Sequence, residues 1–150
     1  MSVTADRMNS PSYVLELSNN PSELRRMSAW IQQTGRLLTL PGSLVSPLDI
    51  CASEAVSNII LYAYDDSASH RIGLRLSQSA GQVEIEVEDD GKPFNPLEHP
   101  LPPLATTLDQ APLGGRGIRL IRGLTSECRY LRRNGRNLLT MTMRPHTAAS

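Results

Sequence analysis

The chain is poor in cysteine and in aromatic residues, and it carries no excess of charge of either sign. Cys51 and Cys128 have neither Cys-x-x-Cys spacing nor a histidine cluster beside them, so zinc and a disulfide framework are both poorly supported. Fifteen basic and fifteen acidic residues cancel, which excludes a bulk field that would attract nucleic acid or an anionic membrane. Any recognition of a partner must therefore be local.

Targeting signals and long apolar runs are missing as well. Residues 1–12 lack a basic region followed by an apolar run, and no apolar stretch approaches the roughly 20 residues that span a bilayer. We therefore expect a soluble, cytoplasmic protein without membrane contact. A chain of 150 residues, 39% of them hydrophobic, fits one globular domain. We assign this domain to residues 12–144, between tails at 1–11 and 145–150.

Apolar periodicity and the positions of proline and glycine predict the secondary structure. Helix starts are indicated by the capping signals at Asn20-Pro21 and Ser46-Pro47. The predicted elements are a strand at 13–17, helices at 21–38 and 47–64, a hairpin at 72–76 and 83–87, a proline-rich loop at 93–113, a short helix around 118–124, and a hairpin at 126–133 and 136–143. This order predicts an α+β fold, a two-layer sandwich in which three helices cover one face of a mostly antiparallel sheet.

The second predicted helix carries a polar pair on an otherwise apolar surface. Glu54 and Asn58 lie roughly 40° apart on a helix with 100° per residue, so their side chains are neighbours. Glu54 is the only charged residue between Asp49 and Asp65, and no Lys or Arg lies one helical turn from it. A lone carboxylate in apolar company has a task or a distant partner. An exposed glutamate beside an exposed asparagine is the alternative interpretation.

Strand parity separates two adjacent aspartates. Continuing the period of two from Val87 places Asp89 on the core-facing side and Asp90 on the outer side. A carboxylate in that position can accept a hydrogen bond from the exocyclic amine of a purine, and it would reject a base without that donor. Gly91 allows close backbone approach to the ring. An ordinary turn is the alternative for this Asp-Asp-Gly segment.

A glycine-rich segment opens the third predicted helix. Backbone N–H groups at Gly114–Gly117 can converge on an anion, and a helix N-terminus adds partial positive charge. The order matches neither a Walker loop nor a Rossmann fingerprint. Arg116 and Arg119 can supply positive charge to phosphates, whereas residues 93–115 contain no Lys or Arg. The loop itself therefore has no basic residue with which to hold phosphates.

Three motifs in this order resemble one family. EAVSN at 54–58, DDGKPFNP at 89–96 and GGRGI at 114–118 are similar to the N, G1 and G2 boxes of the GHKL ATPase superfamily. The small size and the Pro-Phe-x-Pro continuation most resemble the bacterial anti-sigma factor serine/threonine kinases. The resemblance covers roughly residues 20–144. It implies the Bergerat fold, with the proline-rich segment at about 93–113 as an ATP lid.

The resemblance also implies roles for individual residues, with ATP and Mg²⁺ as cofactors. Asn58 would bind magnesium through its side-chain oxygen. Glu54 would be the general base for an attacking serine or threonine hydroxyl, and Asp89 would bind the adenine amine. The other nucleotide-binding positions that the motifs imply are Gly91, Pro93, Gly115, Arg116, Gly117 and Ile118. Pro93 stands where the G1 box often has a second glycine, a change that the anti-sigma branch tolerates.

Members of such a family act in partner-switching circuits. The resemblance implies a kinase that holds a sigma factor inactive and phosphorylates a STAS-type antagonist protein. It also implies a homodimer formed through the first strand and first helix. The balanced charge, in turn, predicts no direct contact with nucleic acid or membrane.

Other classes of function remain open from the sequence. One is a non-catalytic nucleotide-binding module that inhibits a sigma factor or another target by occlusion, for which neither Glu54 nor Asn58 is needed. A second is a nucleic-acid binder that uses the arginines of the last hairpin, Arg129, Arg132, Arg133 and Arg136. The catalytic domain of a histidine kinase shares the three boxes, but His70, His99 and His146 lie at a strand start, in the predicted lid and in the tail, and none lies on a dimerising helix. The sequence therefore argues against a phosphoacceptor domain.

Overall fold

Five strands and three helices make up the described part of the chain. The computed structural model describes residues 11–98 and 113–145, with the backbone alone at 113–116. In chain order the elements are β1 (Ser12–Ser18), α1 (Glu23–Leu37), α2 (Gly42–Tyr62), β2 (Arg71–Ser79), β3 (Gln82–Asp89), α3 (Leu113–Leu124), β4 (Glu127–Arg133) and β5 (Arg136–Met143). Every predicted helix and hairpin is present. Most of the predicted lid, residues 99–112, lies outside the described residues.

The strands form a single antiparallel sheet in the order β1-β2-β3-β5-β4. Both hairpins turn through two residues with positive φ, Ala80 (52°) with Gly81 (78°) and Asn134 (54°) with Gly135 (76°). Two positive φ values in a two-residue loop give the type I′ turn, whose twist matches that of the flanking strands. The predicted hairpin across Asn134-Gly135 is therefore confirmed.

The core lies between the helices and one face of the sheet. Val83, Ile85 and Val87 of β3 point into it and are at most 1% exposed, and Met27 and Ile31 of α1 are fully buried. Burying each such side chain contributes about 1.5–3 kcal/mol. The glutamates that alternate with the β3 valines and isoleucine lie on the opposite face of the sheet. The predicted two-layer sandwich with three helices on one face is thus confirmed.

The start of α2 differs from the prediction. The helix begins at Gly42 rather than after Ser46, and it contains Pro47. Proline in a helix removes one backbone donor, but the extra turn buries Leu44 to 5% exposure. It also packs against α1, where a Cβ at Gly35 would lie 2.9 Å from Cγ2 of Val45. Apolar burial therefore outweighs the capping signal on which the prediction was based.

The composition of α2 also corrects the sequence analysis. The helix has 21 residues and a mean hydropathy of 1.4 in its most apolar window, so by length and composition it is apolar enough to cross a membrane. The expectation that no stretch reaches this limit is wrong, because small and weakly polar residues interrupt the apolar run without lowering its average much. Contacts with α1, α3 and β3 bury one side of this helix, whereas its Ile50, Leu61 and Tyr62 are exposed.

Candidate functional site

A cleft opens where the C-terminal half of α2 faces the ends of β3, β4 and β5. It encloses about 480 Å³ when its solvent-open mouth is included. The walls are mostly apolar, and Asn58, Asp89 and Asn137 supply polar groups. Two predicted site residues, Asn58 and Asp89, therefore line one cleft although 31 positions separate them in the sequence.

Asp89 points into this cleft, as strand parity predicts, and is 4% exposed. Its Oδ1 accepts hydrogen bonds from the Gly91 backbone N–H at 2.8 Å and from Asn137 Nδ2 at 2.9 Å. Burial raises the pKa of the Asp89 carboxyl above its ordinary value, although these two hydrogen bonds act in the opposite direction. Asp90 is exposed and accepts a hydrogen bond from the Tyr64 hydroxyl at 2.7 Å, so the two aspartates have separate surroundings.

Gly91 is required by a close contact with the end of α2. A Cβ at this position would lie 2.6 Å from the Cβ of Ala63 and 2.7 Å from the Ala63 carbonyl oxygen. The same carbonyl accepts a hydrogen bond from the Lys92 backbone N–H at 2.9 Å. The close backbone approach predicted for Gly91 therefore occurs against Ala63, and a contact with the base remains a prediction.

Glu54 and Asn58 share one face of α2, as predicted. Asn58 is 9% exposed and lines the cleft. The alternative interpretation, an exposed asparagine, is therefore wrong. Glu54 is half-buried and lies against α3, where its Oε2 is 2.6 Å from the position of a Cβ on Gly117. No described residue forms a hydrogen bond or ion pair with Glu54. Its carboxylate therefore occupies space that exists because residue 117 is glycine.

The glycine-rich segment lies inside α3 rather than before it. The helix starts at Leu113, so Gly115 and Gly117 belong to its first two turns. Ile118 is 1% exposed and part of the interior, and the side chain of Arg116 lies outside the described residues. Placement of Gly115 and Gly117 at an α-helix N-terminus agrees with the predicted anion site, and phosphate binding by them remains a prediction.

The start of the predicted lid contributes two other residues. Pro93 is exposed and is not among the described residues that line the cleft, whereas Phe94 and Pro96 do line it. Arg122 of α3 donates a hydrogen bond to the carbonyl oxygen of Leu97, which ties this segment to the helix. A basic residue thus reaches the lid from outside it, although the lid sequence has none of its own.

Sequence analysis missed Asn137, which lies beside Asp89 in the register of β3 and β5. A pairing between strands that are distant in the chain has no local sequence signal. The sequence indicates Arg132 only as one of several arginines on the last hairpin. In the structure its Nη1 donates a hydrogen bond to the Gly91 carbonyl oxygen at 2.7 Å. The alternation of β4, in which Cys128, Tyr130 and Arg132 share a face, is the signal that would have separated Arg132 from its neighbours.

The arginines of the last hairpin do not form the basic patch that nucleic-acid binding would require. Arg129 pairs with Glu84 at 3.5 Å, and Arg136 pairs with Glu88 at 3.0 Å. These ion pairs lie on the outer face of the sheet, and Arg132 points to the other face. The arginines of the last hairpin therefore do not form one uncompensated surface for phosphates.

The shape and polarity of the cleft suit a planar base at one end. Apolar walls can stack on a ring, and a single buried carboxylate can read one donor on its edge. At the α2–α3 end, an amide oxygen and a carboxylate lie one helical turn apart, next to the N-terminal turns of α3. The arrangement can therefore hold a nucleotide with its base at Asp89 and its phosphates near Asn58.

Comparison with known proteins agrees with this geometry. Residues 17–143 match the family described as the histidine kinase-like ATPase domain. The chain is 33% identical over 135 residues to the serine/threonine-protein kinase BtrW of Bordetella bronchiseptica, which is 90% of this chain and 95% of BtrW. It is 28% identical over 95 residues to the serine-protein kinase RsbW of Bacillus subtilis, covering 61% of this chain and 59% of RsbW.

A solved structure shares the fold. The crystal structure of the RsbU and RsbW domains of Rv1364c from Mycobacterium tuberculosis aligns with a TM-score of 0.63 and 18% identity, over 89% of this chain and 32% of the other. At that identity the likeness concerns the fold alone. The predicted membership is confirmed by the family match and by BtrW: the chain belongs to the histidine kinase-like ATPase domain family, in the branch that contains serine/threonine-protein kinases.

Proposed function

We propose that this chain is an ATP-dependent protein serine/threonine kinase that acts as an anti-sigma factor in a partner-switching circuit. Its substrate is a small STAS-type antagonist protein, which receives the phosphoryl group on a serine or threonine. The observation that carries the proposal is that the buried carboxylate Asp89 and the amide of Asn58 line one cleft, with Glu54 one helical turn before Asn58 on α2. Occlusion of a partner alone needs neither a base nor a metal ligand.

The Asp89 end of the cleft suits adenine. Oδ1 of Asp89 accepts both hydrogen bonds from the described residues, and Oδ2 accepts none from them. That oxygen can therefore accept a hydrogen bond from the 6-amino group of the base. A base without this donor would leave a buried acceptor unpaired, at a cost of about 1–3 kcal/mol.

Asn58 suits a magnesium ligand. Mg²⁺ prefers oxygen ligands, keeps several waters and binds proteins through few side chains together with substrate phosphates. The described residues contain no group of three His, Cys, Asp or Glu side chains that could hold a metal. The side-chain oxygen of Asn58 suits an ion that is bound mainly by phosphates. Bound there, the ion would neutralise the negative charge that develops on the phosphates.

Glu54 is the proposed general base. It takes the proton from the antagonist hydroxyl while the hydroxyl oxygen bonds to the γ-phosphorus, and the bond to the β–γ bridging oxygen breaks to release ADP. The glycine at 117 leaves room for the carboxylate to turn toward the hydroxyl. Glu54 is half-buried and lies one helical turn from the cleft residue Asn58.

The proposed partners follow the family. The chain binds a sigma factor or another regulated target and forms a homodimer through β1 and α1, in the cytoplasm and without direct contact to membrane or nucleic acid. Two features support the dimer: β1 is an edge strand, and its Val14 is 65% exposed.

Transfer of label from γ-labelled ATP to the antagonist encoded nearest the gene tests the proposal. We compare the wild-type chain with Glu54→Gln and Asn58→Ala in magnesium buffer. Glu127→Gln, an exposed glutamate on β4, is the matched control. We expect label on a Ser or Thr of the antagonist with the wild type and the control. Loss of the base should lower the rate about 10²–10⁴-fold.

Each outcome discriminates between functions. Equal transfer by Glu54→Gln removes Glu54 as the base. ATP binding without transfer to any STAS-type protein replaces the kinase with the non-catalytic nucleotide-binding module. Absence of ATP binding by the wild type contradicts both.

A further inference from the structure

Three residues in one row cross the end of the sheet at the floor of the cleft. Asp89 of β3 is the register partner of Asn137 of β5, and Asn137 is the register partner of Arg132 of β4. Asn137 is 5% exposed, and Asp89 is 4% exposed. The row therefore places a buried amide between a buried carboxylate and the exposed Arg132.

Hydrogen bonds fix the amide of Asn137 in one orientation. Nδ2 donates to Asp89 Oδ1 and to the Lys92 carbonyl oxygen, both at 2.9 Å. The hydroxyl of Tyr130 donates to Oδ1 of the same amide. A flipped amide would point its oxygen at two acceptors, so both N–H groups must face Asp89 and Lys92. The donors of Asn137 are thus fully used.

The same row holds the turn that follows Asp89. The Gly91 N–H bonds to Asp89, and the Gly91 carbonyl oxygen accepts from Arg132 at 2.7 Å. The Lys92 N–H bonds to the Ala63 carbonyl at 2.9 Å, and the Lys92 carbonyl accepts from Asn137. Four successive backbone polar groups are therefore paired, which defines the position of this turn beside the base site.

We propose that Asn137 is a positioning residue that sets the base specificity of the cleft. It occupies Oδ1 of Asp89 and thereby presents Oδ2 to the 6-amino group of an adenine nucleotide. This inference rests on the proposed function, because it concerns the same nucleotide site. Asn137 acts through Asp89 and through the turn at Gly91 and Lys92.

The amide also keeps Asp89 an acceptor. A protonated Asp89 would present a donor to the amine, so discrimination requires the ionised form. The hydrogen bond from Asn137 lowers the pKa of Asp89, while burial raises it. Among the described residues, the other charged or titratable groups near Asp89 are Asp90, Tyr62, Tyr64, Lys92, Arg132 and Tyr130. Loss of the Asn137 donor should therefore move the loss of discrimination to higher pH.

Calorimetry with two nucleotides tests the inference. ATP is compared with purine riboside triphosphate, which lacks the 6-amino group, for wild type, Asn137→Leu and Asn137→Thr. Thr140→Val is the matched control, because Thr140 is a buried polar residue of β5 on the opposite face of the sheet. For each protein, both affinities are measured at several pH values between about 5 and 8, the range in which most proteins are most stable.

We expect the wild type and Thr140→Val to prefer ATP about 10–100-fold, as the cost of an unpaired buried acceptor predicts. Asn137→Leu should reduce this preference to roughly threefold or less. Asn137→Thr, with one hydroxyl donor, should retain part of it and lose it at a higher pH than the wild type. This variant also keeps the test valid if Asn137→Leu does not fold.

A preference retained in full by both Asn137 variants, with an unchanged pH profile, overturns the inference and leaves the proposed function intact. Wild type that binds neither nucleotide overturns the proposed function and the inference together. Wild type that binds both nucleotides equally overturns the assignment of base specificity to this row, while kinase activity would still stand.

Discussion

The two ends of the cleft are built in different ways. At the end proposed to bind the base, here called the base end, three strands hold Asp89 and the following turn with a continuous set of backbone and side-chain hydrogen bonds. At the phosphate end, two helices meet, and Glu54 lies against Gly117 without a hydrogen bond from any described residue. Hydrogen bonds within the protein hold one end, whereas at the other the described residues leave the Glu54 carboxylate without a hydrogen bond.

This difference assigns separate tasks to the two ends. A preorganised base site loses little conformational entropy when a nucleotide binds. A general base that must meet a protein hydroxyl gains from a side chain that can rotate, because its partner arrives from solution. Substitutions at the base end should therefore change stability and affinity, whereas substitutions at the phosphate end should change the transfer rate.

The largest effect is expected for Gly91→Ala. The new methyl would overlap the Cβ and carbonyl oxygen of Ala63 at 2.6 and 2.7 Å, and a backbone atom cannot move aside cheaply. Overpacking of this kind costs about 1–3 kcal/mol, and ATP affinity should fall with the displaced turn. Gly73→Ala is the control, because no atom lies within 4 Å of its Cβ position. Chemical denaturation measures the loss of stability, and calorimetry measures the loss of ATP affinity. An unchanged denaturation midpoint would contradict the close packing of Gly91 against Ala63.

The next effect is expected for Gly117→Ala, at the other end. The three atoms nearest to its methyl would all belong to Glu54, with Oε2 at 2.6 Å, Cδ at 3.5 Å and Cβ at 3.6 Å, and the carboxylate can move. The free energy of unfolding should change by less than about 1 kcal/mol, while transfer should fall up to about 100-fold through misplacement of the base. Gly123→Ala, with no atom within 4 Å of its Cβ position in the same helix, is the control. A loss of stability without a loss of transfer would reverse the comparison.

A smaller effect is expected from pH at the base end. Burial raises the pKa of Asp89, so its protonated form is favoured by the folded state. Its contribution to stability is present below the ordinary aspartate pKa of about 3.9 and is lost as pH rises through the raised value. ATP affinity has the opposite trend and should decline as pH falls through that value. Asp89→Asn should weaken ATP binding about 10–100-fold and remove this pH dependence, as nucleotide titrations at several pH values can show. An unchanged affinity would remove the adenine assignment.

The smallest effect is expected for Arg136→Ala on the outer face of the sheet. Its ion pair with Glu88 joins side chains that are 57% and 44% exposed, and such pairs contribute about 0–1 kcal/mol. Arg132→Ala, two strand positions before the turn but on the inner face, should lower ATP affinity measurably because Gly91 loses a hydrogen bond. Equal effects of the two substitutions on binding would contradict the importance of the inner row.

Local patterns were sufficient for most of the fold. The period of two in β2 and β3 predicted both strands and placed Asp89 rather than Asp90 in the interior, and Asn134-Gly135 predicted the last hairpin. Periodicity on α2 likewise predicted that Glu54 and Asn58 share a face. Each of these inferences depends on residues a few positions apart, where geometry is set by the backbone repeat.

What local patterns missed depends on distant contacts. The first turn of α2 forms because Leu44 and Val45 find partners in the core, which a capping rule cannot anticipate. Asn137 acquires its role from pairing with Asp89, 48 positions away. Polar residues on strands are common, and only the register of β3 with β5 distinguishes this one.

The strand order has a consequence for co-translational folding. β5 is the last strand of the described chain, yet it lies between β3 and β4. A nascent chain that ends before β5 can form the β2–β3 hairpin but lacks the neighbour that completes the floor of the cleft. Binding at the proposed nucleotide site should therefore begin only after β5 has paired with β3.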